Sequence, residues 1–161
     1  MDGGRSGHDG GIVNPRLGIL WGGLIAGTMD ITAAILTYKI RNNVPPIRIL
    51  QSVASGLLGK DAYAGRAATA ALGLFLHFVI AFIWVTVFYL ASRKMPWMWQ
   101  HAVIVGILYG MFVQQFMQQV VLPLSAFHKA QFNLTALVIG LITHIVCIGL
   151  PIALSVKRFS E

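Results

Sequence analysis

Several polar and ionisable residues of this chain lie inside long apolar stretches, where such side chains are expensive. They are Asp30, His77, Gln114, Gln115, Gln118, His144 and Cys147. Imidazole changes its charge near neutral pH, and a carboxyl group in a low-dielectric site can hold a proton in the same range. An aspartate with histidines could therefore relay protons, and the glutamines could help them bind a small polar ligand.

The spacing of these residues puts one polar group on each of four apolar runs at a similar depth. At about 1.5 Å per helical residue, counted from the side opposite the termini, Asp30, His77, Gln115 and His144 lie roughly 10–15 Å in. Polar groups that face lipid are costly, so these should face the inside of a helix bundle. We predict one buried polar layer, consisting of Asp30, His77, Gln114, Gln115, Gln118 and His144.

Other uses of the same residues stay open. His77 and His144 are candidate metal ligands, with Asp30 or Cys147 as a further ligand. The two histidines could also be axial ligands of a b-type haem, or bind a quinone or a lipid headgroup with the glutamines. Alternatively, the layer only fixes helix packing, at about 0.6–2 kcal/mol per interhelical hydrogen bond. No hydrolase motif or phosphate-binding loop is present, which favours a non-enzymatic protein.

Composition indicates that these residues belong to a membrane protein. Of 161 residues, 57% are hydrophobic and 11% are charged, whereas soluble domains carry about a quarter charged residues. Each apolar run has roughly the 20 residues that cross a hydrocarbon core. We predict an all-α, four-helix transmembrane bundle in a single domain, residues 15–161, after a disordered tail, residues 1–14. The predicted spans are about 17–38, 67–92, 97–123 and 134–156, and Pro151 should kink the last one.

An amphipathic segment at about 46–59 separates the first two runs. Its apolar residues recur at helical spacing, with Arg48, Gln51, Ser52 and Ser55 between them. About three helical turns are too short to cross the membrane, so the pattern predicts an interfacial amphipathic helix. A helix that simply caps the bundle is the alternative.

Glycines at small-xxx-small spacing predict close helix packing. They are Gly18, Gly22, Gly23, Gly27, Gly106, Gly110 and Gly140. Asp30 follows Gly27 on the same helical face, so this face should look inward. Because four spans make a small bundle, we also expect a homo-oligomer or an accessory partner, with the Gly18/Gly22 or Gly106/Gly110 face as the contact.

Two sequence motifs recur along the chain. Gly73-Leu-Phe-Leu-His77-Phe-Val is echoed by Gly140-Leu-Ile-Thr-His144-Ile-Val, and Gly18-Ile-Leu-Trp-Gly22 by Gly106-Ile-Leu-Tyr-Gly110. The repeat predicts an internal duplication of a two-helix hairpin about an axis along the membrane normal, with the histidines facing each other at equal depth. Chance similarity between glycine- and leucine-rich helices is the alternative.

The net charge of +7 comes largely from Lys and Arg that flank the apolar runs. This placement favours contact with the lipid bilayer and anionic headgroups, and it argues against nucleic acid as a partner. If the cations of the interfacial segment are set aside as lipid-bound, Lys and Arg concentrate on the side of the termini. We therefore expect both termini in the cytoplasm.

Four stretches carry a resemblance to a known group of proteins. They are Gly22-Gly23-Leu-Ile-Ala-Gly27-Thr-Met-Asp30, Arg48-Ile-Leu-Gln-Ser-Val-Ala-Ser-Gly56-Leu-Leu-Gly59, Leu76-His77-Phe78 and Val121-Leu122-Pro123-Leu124. Over most of residues 17–156 the chain resembles small bacterial inner-membrane proteins of unknown function, the YagU-like proteins among them. The resemblance implies a location in the bacterial inner membrane and implies no activity.

Overall fold

The computed structural model describes residues 14–126 and 133–160, and every regular element in this part of the chain is helical. The helices are α1 (Pro15–Asn42), α2 (Pro46–Leu58), α3 (Arg66–Lys94), α4 (Trp97–Gln100), α5 (Ala102–Phe116), α6 (Leu122–Leu124), α7 (Leu134–His144) and α8 (Leu150–Ser160). The predicted all-α class is confirmed. The tail predicted as disordered lies outside the described residues, except for Asn14.

Four helical stretches are long and apolar enough to cross a membrane, as the sequence predicts. We call them span 1 (Arg16–Asn42), span 2 (Arg66–Lys94), span 3 (Ala102–Leu124) and span 4 (Leu134–Phe159). Span 3 begins later than the predicted residue 97. The backbone of His101 leaves the helical region, at φ −113° and ψ 37°, and this separates α4 from α5.

The spans form a closed bundle in which span 1 lies between spans 2 and 4, and span 3 packs against span 4. Spans 2 and 3 meet through aromatic side chains. The ring of Trp84 lies edge-to-face against Tyr109 and Phe116, with centroids 6.1 and 5.3 Å apart. The hydroxyl of Tyr109 donates a hydrogen bond to the carbonyl of Trp84, at 2.7 Å. Large rings thus join two spans whose backbones do not approach closely.

The predicted packing glycines lie at contacts between the spans. A Cβ on Gly22 would lie 2.8 Å from Cγ2 of Val85 in span 2, and one on Gly18 would lie 3.4 Å from Cβ of Phe159 in span 4. A Cβ on Gly110 would lie 2.6 Å from the carbonyl oxygen of His144. The Gly18/Gly22 and Gly106/Gly110 faces are therefore in contact with other spans of the same chain. The homo-oligomer itself stays a prediction.

Two π-helical turns precede the prolines of spans 3 and 4. The turn Met117–Val121 ends two residues before Pro123, and the turn Ile145–Gly149 ends two residues before Pro151. Proline lacks an amide donor, and its ring clashes with the carbonyl four residues earlier, so a regular α-helix is disfavoured there. The sequence predicts a kink at Pro151, and the structure shows a widened turn in front of it.

Helix α2 lies between the first two spans, as predicted, and packs a side that includes polar residues against span 2. Gln51 and Ser55 are only 2% and 3% exposed, whereas Leu57 is 64% exposed. The amide of Gln51 donates to the carbonyl of Arg66 at 3.0 Å and to Oγ1 of Thr69 at 3.3 Å. Ile49 and Ala54 are buried as well, so the side that faces the bundle is mixed, and the outward Leu57 suits contact with lipid.

The backbones of α2 and span 2 meet at Gly73. A Cβ on Gly73 would overlap the carbonyl of Leu50 and lie 3.2 Å from the amide nitrogen of Ala54. The segment after α2, a 3₁₀ turn at Gly59–Tyr63, stays in contact with span 2 as well, because Thr69 donates to the carbonyl of Ala62 at 2.6 Å. Helix α2 is therefore an integral part of the bundle.

Candidate functional site

His77 connects spans 1 and 2. Its Nε2 donates a hydrogen bond to the carbonyl of Gly27, 2.8 Å away, and the ring is half-buried. The glycine matters because a Cβ there would lie 2.7 Å from Cε1 of Phe78, the residue after His77. With Nε2 protonated, Nδ1 of the neutral ring carries the lone pair. The histidine thus serves as an interhelical link and keeps one basic nitrogen.

Asp30 lies one turn after Gly27, in the middle of span 1. It is about 18 Å from the helix end at Asn42, at about 1.5 Å per residue, and it is half-buried. Cys147 of span 4 is within electrostatic range of the carboxylate. Within residues 14–126 and 133–160, no group donates a hydrogen bond to Asp30 and no cation forms an ion pair with it. Asp30 is therefore an ionisable group in mid-span without a compensating partner in the described chain.

His144 is bonded within its own helix. Its Nδ1 donates to the carbonyl of Gly140 at 2.9 Å, so Nε2 carries the lone pair of the neutral ring. The main chain of His144 lies against Gly110 of span 3. His77, its counterpart in the repeated motif, uses the other ring nitrogen and bonds to another helix. The repeated motifs therefore do not make repeated contacts, and the duplication stays a prediction.

The glutamines of span 3 differ in where they point. Gln114 is 2% exposed, and its Nε2 lies 2.6 Å from the place that a Cβ on Gly140 would take. Gln118 is half-buried and Gln115 is exposed. The buried glutamine is therefore Gln114, and Gln115, which the depth count assigns to the layer, lies on the outer surface of the bundle.

Residues of the predicted polar layer link neighbouring spans, one pair after another, around the bundle. The contacting pairs are His77 with Gly27, His144 with Gly110, and Gln114 with Gly140, and Asp30 lies within electrostatic range of Cys147. Asp30 follows Gly27 by one turn, and His144 precedes Cys147 by one turn, so the pairs are linked along the helices as well. The arrangement places one carboxyl group and two imidazoles within the membrane-spanning helices.

The geometry of these residues does not favour binding of a metal ion or a haem. In the described part of the chain, no group of three or more His, Cys, Asp or Glu side chains could hold a metal ion. A haem ligated through Nε2 of both histidines would require His77 to give up its bond to Gly27. The geometry of His144 suits haem ligation better, because Nδ1 is held by its hydrogen bond to Gly140 and Nε2 carries the lone pair.

Gly149 is an important packing residue that the sequence analysis does not single out. A Cβ on Gly149 would overlap the carbonyl of Gly106 and lie 2.6 Å from the amide nitrogen of Gly110. The signal is present in the sequence, since Gly149 and Ala153 form a small-xxx-small pair opposite Gly106 and Gly110. The contact of Gly73 with α2 has no comparable signal, because it depends on how α2 folds back.

Comparisons of the chain with protein-family models, with characterised proteins and with solved structures found no match. The function has to be inferred from the membrane-spanning architecture and from the residues described above.

Proposed function

We propose that this chain is a small multi-pass protein of the bacterial inner membrane that handles protons at Asp30. The observation that carries the proposal is a mid-span carboxyl group with no hydrogen-bond donor or cation among the described residues. A charged aspartate at the centre of a membrane helix costs about 2.5–3.5 kcal/mol on insertion scales. Binding a proton removes that charge, and we therefore place the proton at this carboxyl group.

The histidines supply groups that can exchange protons with such a site. His144 lies on span 4, one turn before Cys147, and its Nε2 can accept a proton while Nδ1 stays bonded to Gly140. His77 can accept one on Nδ1 while it stays bonded to Gly27. Both histidines therefore could change protonation state without losing the hydrogen bond that orients them.

Location and orientation are part of the proposal. The resemblance to YagU-like proteins supports the bacterial inner membrane. If the cations around α2 are set aside as lipid-bound, the cations at the terminal ends of the spans support cytoplasmic termini; these are Arg16, Arg93, Lys94, Lys157 and Arg158.

Proton flux into liposomes tests the proposal. The purified full-length protein is reconstituted with a trapped pH-sensitive dye, and a pH step and a membrane potential are applied in turn. We expect flux above that of protein-free liposomes, abolished by Asp30→Asn and slowed by His144→Gln. Asp61→Asn is the matched control, because this carboxylate lies outside the spans. Equal flux for wild type and Asp30→Asn would rule the proposal out.

A structural or accessory role is the second candidate, and a separate observation favours it. His77, His144 and Gln114 all make packing contacts that hold helices in place. Such a protein would need no transported species and would act through a partner in the membrane. Isolation from native membranes in a mild detergent tests it, and a chain that elutes without any stoichiometric partner contradicts it.

A further inference from the structure

Gln114 carries a buried amide group in the middle of span 3. The side chain is only 2% exposed. Its amide offers hydrogen-bond donors on the nitrogen and an acceptor oxygen. Among the residues that the structure describes, none forms a hydrogen bond with either end of this amide. Folded proteins rarely bury such a group unsatisfied, and an ordered water is a common explanation where they do.

The other buried polar side chains of the described residues behave differently. Gln51 donates to span 2 at 3.0 Å, and Ser55 and Ser92 each donate to a carbonyl of their own helix at 2.7 and 2.8 Å. Each of these three therefore has a partner within the chain. Gln114 is the exception in this part of the protein, so its amide calls for a partner of another kind.

Gly140 of span 4 defines the surroundings of this amide. Nε2 of Gln114 lies 2.6 Å from the place that a Cβ on Gly140 would take, so the amide rests against the backbone of span 4. The carbonyl of the same glycine accepts the hydrogen bond from Nδ1 of His144, at 2.9 Å. The amide and the imidazole, which come from two different spans, are thus both in contact with one residue.

The second ring nitrogen of His144 complements the amide. Because Nδ1 donates to Gly140, Nε2 of the neutral ring is an acceptor, and no described group donates to it. A water molecule can accept a hydrogen bond from the amide nitrogen of Gln114 and donate one to Nε2 of His144. Buried waters typically make about two to four hydrogen bonds to polar groups that are otherwise unsatisfied. One water therefore satisfies a group on each of the two spans.

We propose that spans 3 and 4 hold an internal water molecule between the amide of Gln114 and Nε2 of His144, and that Gln114 anchors it. This water gives His144 a hydrogen-bonding partner inside the membrane with which the imidazole can exchange a proton. The role in proton exchange rests on the proposed function, whereas the water site itself does not depend on proton handling at Asp30.

Water-edited solid-state NMR of the full-length protein in lipid bilayers tests the proposal. In these spectra magnetisation passes from water to the protein, and it reaches first the groups that are in contact with water. With nitrogen-15 in glutamine and histidine, we expect the side-chain amide of Gln114 and the imidazole of His144 to receive magnetisation severalfold faster than the backbone amides of the same residues, which lie inside their helices.

Replacement of the amide by an apolar group of similar size should remove the water. Gln114→Leu should abolish the fast transfer to the imidazole of His144, and it should slow proton flux severalfold in the liposome assay. Gln115→Leu is the matched control, because it makes the same chemical change at the adjacent, exposed position. It should leave both measurements as in the wild type. Gln114→Met takes the place of Gln114→Leu if the latter loses helix content by circular dichroism.

Two results would overturn the proposal. Transfer to the side-chain amide of Gln114 that is no faster than transfer to its backbone would show that the amide is dry. Fast transfer to His144 that survives in Gln114→Leu would show that Gln114 does not anchor the water. The proposed function fails separately, through flux that Asp30→Asn does not change, and a water site found together with such flux leaves this inference standing.

Discussion

The imidazole of His77 donates a hydrogen bond to the carbonyl of Gly27, and this 2.8 Å contact joins the first two membrane spans in the middle of the bundle. The corresponding histidine of the repeated motif, His144, bonds instead to Gly140 of its own helix. One histidine therefore contributes to the association of two helices, and the other to the shape of a single helix.

Replacement of the two histidines should therefore have unequal effects. His77→Phe should lower the free energy of unfolding by about 1 kcal/mol, because an interhelical hydrogen bond in the membrane contributes about 0.6–2 kcal/mol. His144→Phe should lower the free energy of unfolding by less. The hydrogen bond of His144 to Gly140 lies within one helix, so it is kept in any state in which span 4 stays helical. Reversible unfolding in mixed detergent and dodecyl sulfate micelles measures both values. Equal losses would contradict the interhelical role of His77.

Substitution of Gly73 should separate α2 from span 2. Gly73→Val places a branched side chain against the backbone of Leu50 and Ala54, which cannot move aside as a flexible side chain can. Overpacking of this kind costs typically 1–3 kcal/mol in the free energy of unfolding.

Ala71→Val is the matched control, because Ala71 lies on the same helix and is exposed. It should change the free energy of unfolding by less than about 0.5 kcal/mol. The same micelle assay serves for both variants. If Gly73→Val proves as stable as Ala71→Val, α2 does not pack as the structure describes.

Two glycines of different spans should respond in opposite directions to the addition of one methyl group. Gly149→Ala should destabilise the protein by about 1–3 kcal/mol, because the new Cβ overlaps the carbonyl of Gly106. Gly18→Ala should be neutral or stabilising by up to about 1 kcal/mol, since its nearest contact, Cβ of Phe159 at 3.4 Å, is an ordinary one and alanine favours helix. Thermal unfolding in one detergent compares the stability of the two variants. A Gly149→Ala variant more stable than Gly18→Ala would argue against the contact of spans 3 and 4.

The stability of Asp30 variants distinguishes an unpaired carboxyl group from a paired one. Asp30→Asn should leave the free energy of unfolding unchanged or raise it, because no described group donates to the carboxylate or forms an ion pair with it. Loss of one partner of a buried ion pair costs about 3–5 kcal/mol instead. Unfolding of wild type and Asp30→Asn in the same micelles decides between the two, and a loss of that size would mean that Asp30 has a partner.

Much of the architecture follows from the sequence because each membrane span is a local property. The hydropathy of about 20 consecutive residues is enough to predict a span, and all four runs are helices of that kind in the structure. The short helix between the first two spans and the close packing at Gly22 and Gly110 follow from local patterns in the same way. Even the distortion before Pro151 is a local effect, because it originates in one missing amide.

The partners of the polar residues depend on tertiary structure. The sequence places His77 and His144 in nearly the same local context, yet His77 bonds to span 1 and His144 to its own helix. The glycine four residues before each histidine also meets a different neighbour, since Gly73 lies against α2 and Gly140 against Gln114. Gln114 is buried and Gln115 is exposed although they are adjacent, because the rotation of span 3 is set by its contacts with span 4.

The side of α2 that meets the protein is likewise a tertiary result. Its sequence is amphipathic, and amphipathicity alone does not say whether water, lipid or protein covers each side. In the folded chain the amide nitrogen of Gln51 donates to two acceptors on span 2, while Leu57 faces outward. Residue type and spacing therefore determined the helices, their number and the polar groups within them. Only the packed bundle decided which of these groups are satisfied by a neighbour and which, like Asp30, are not, because hydrogen-bond partners come from helices that are distant in sequence.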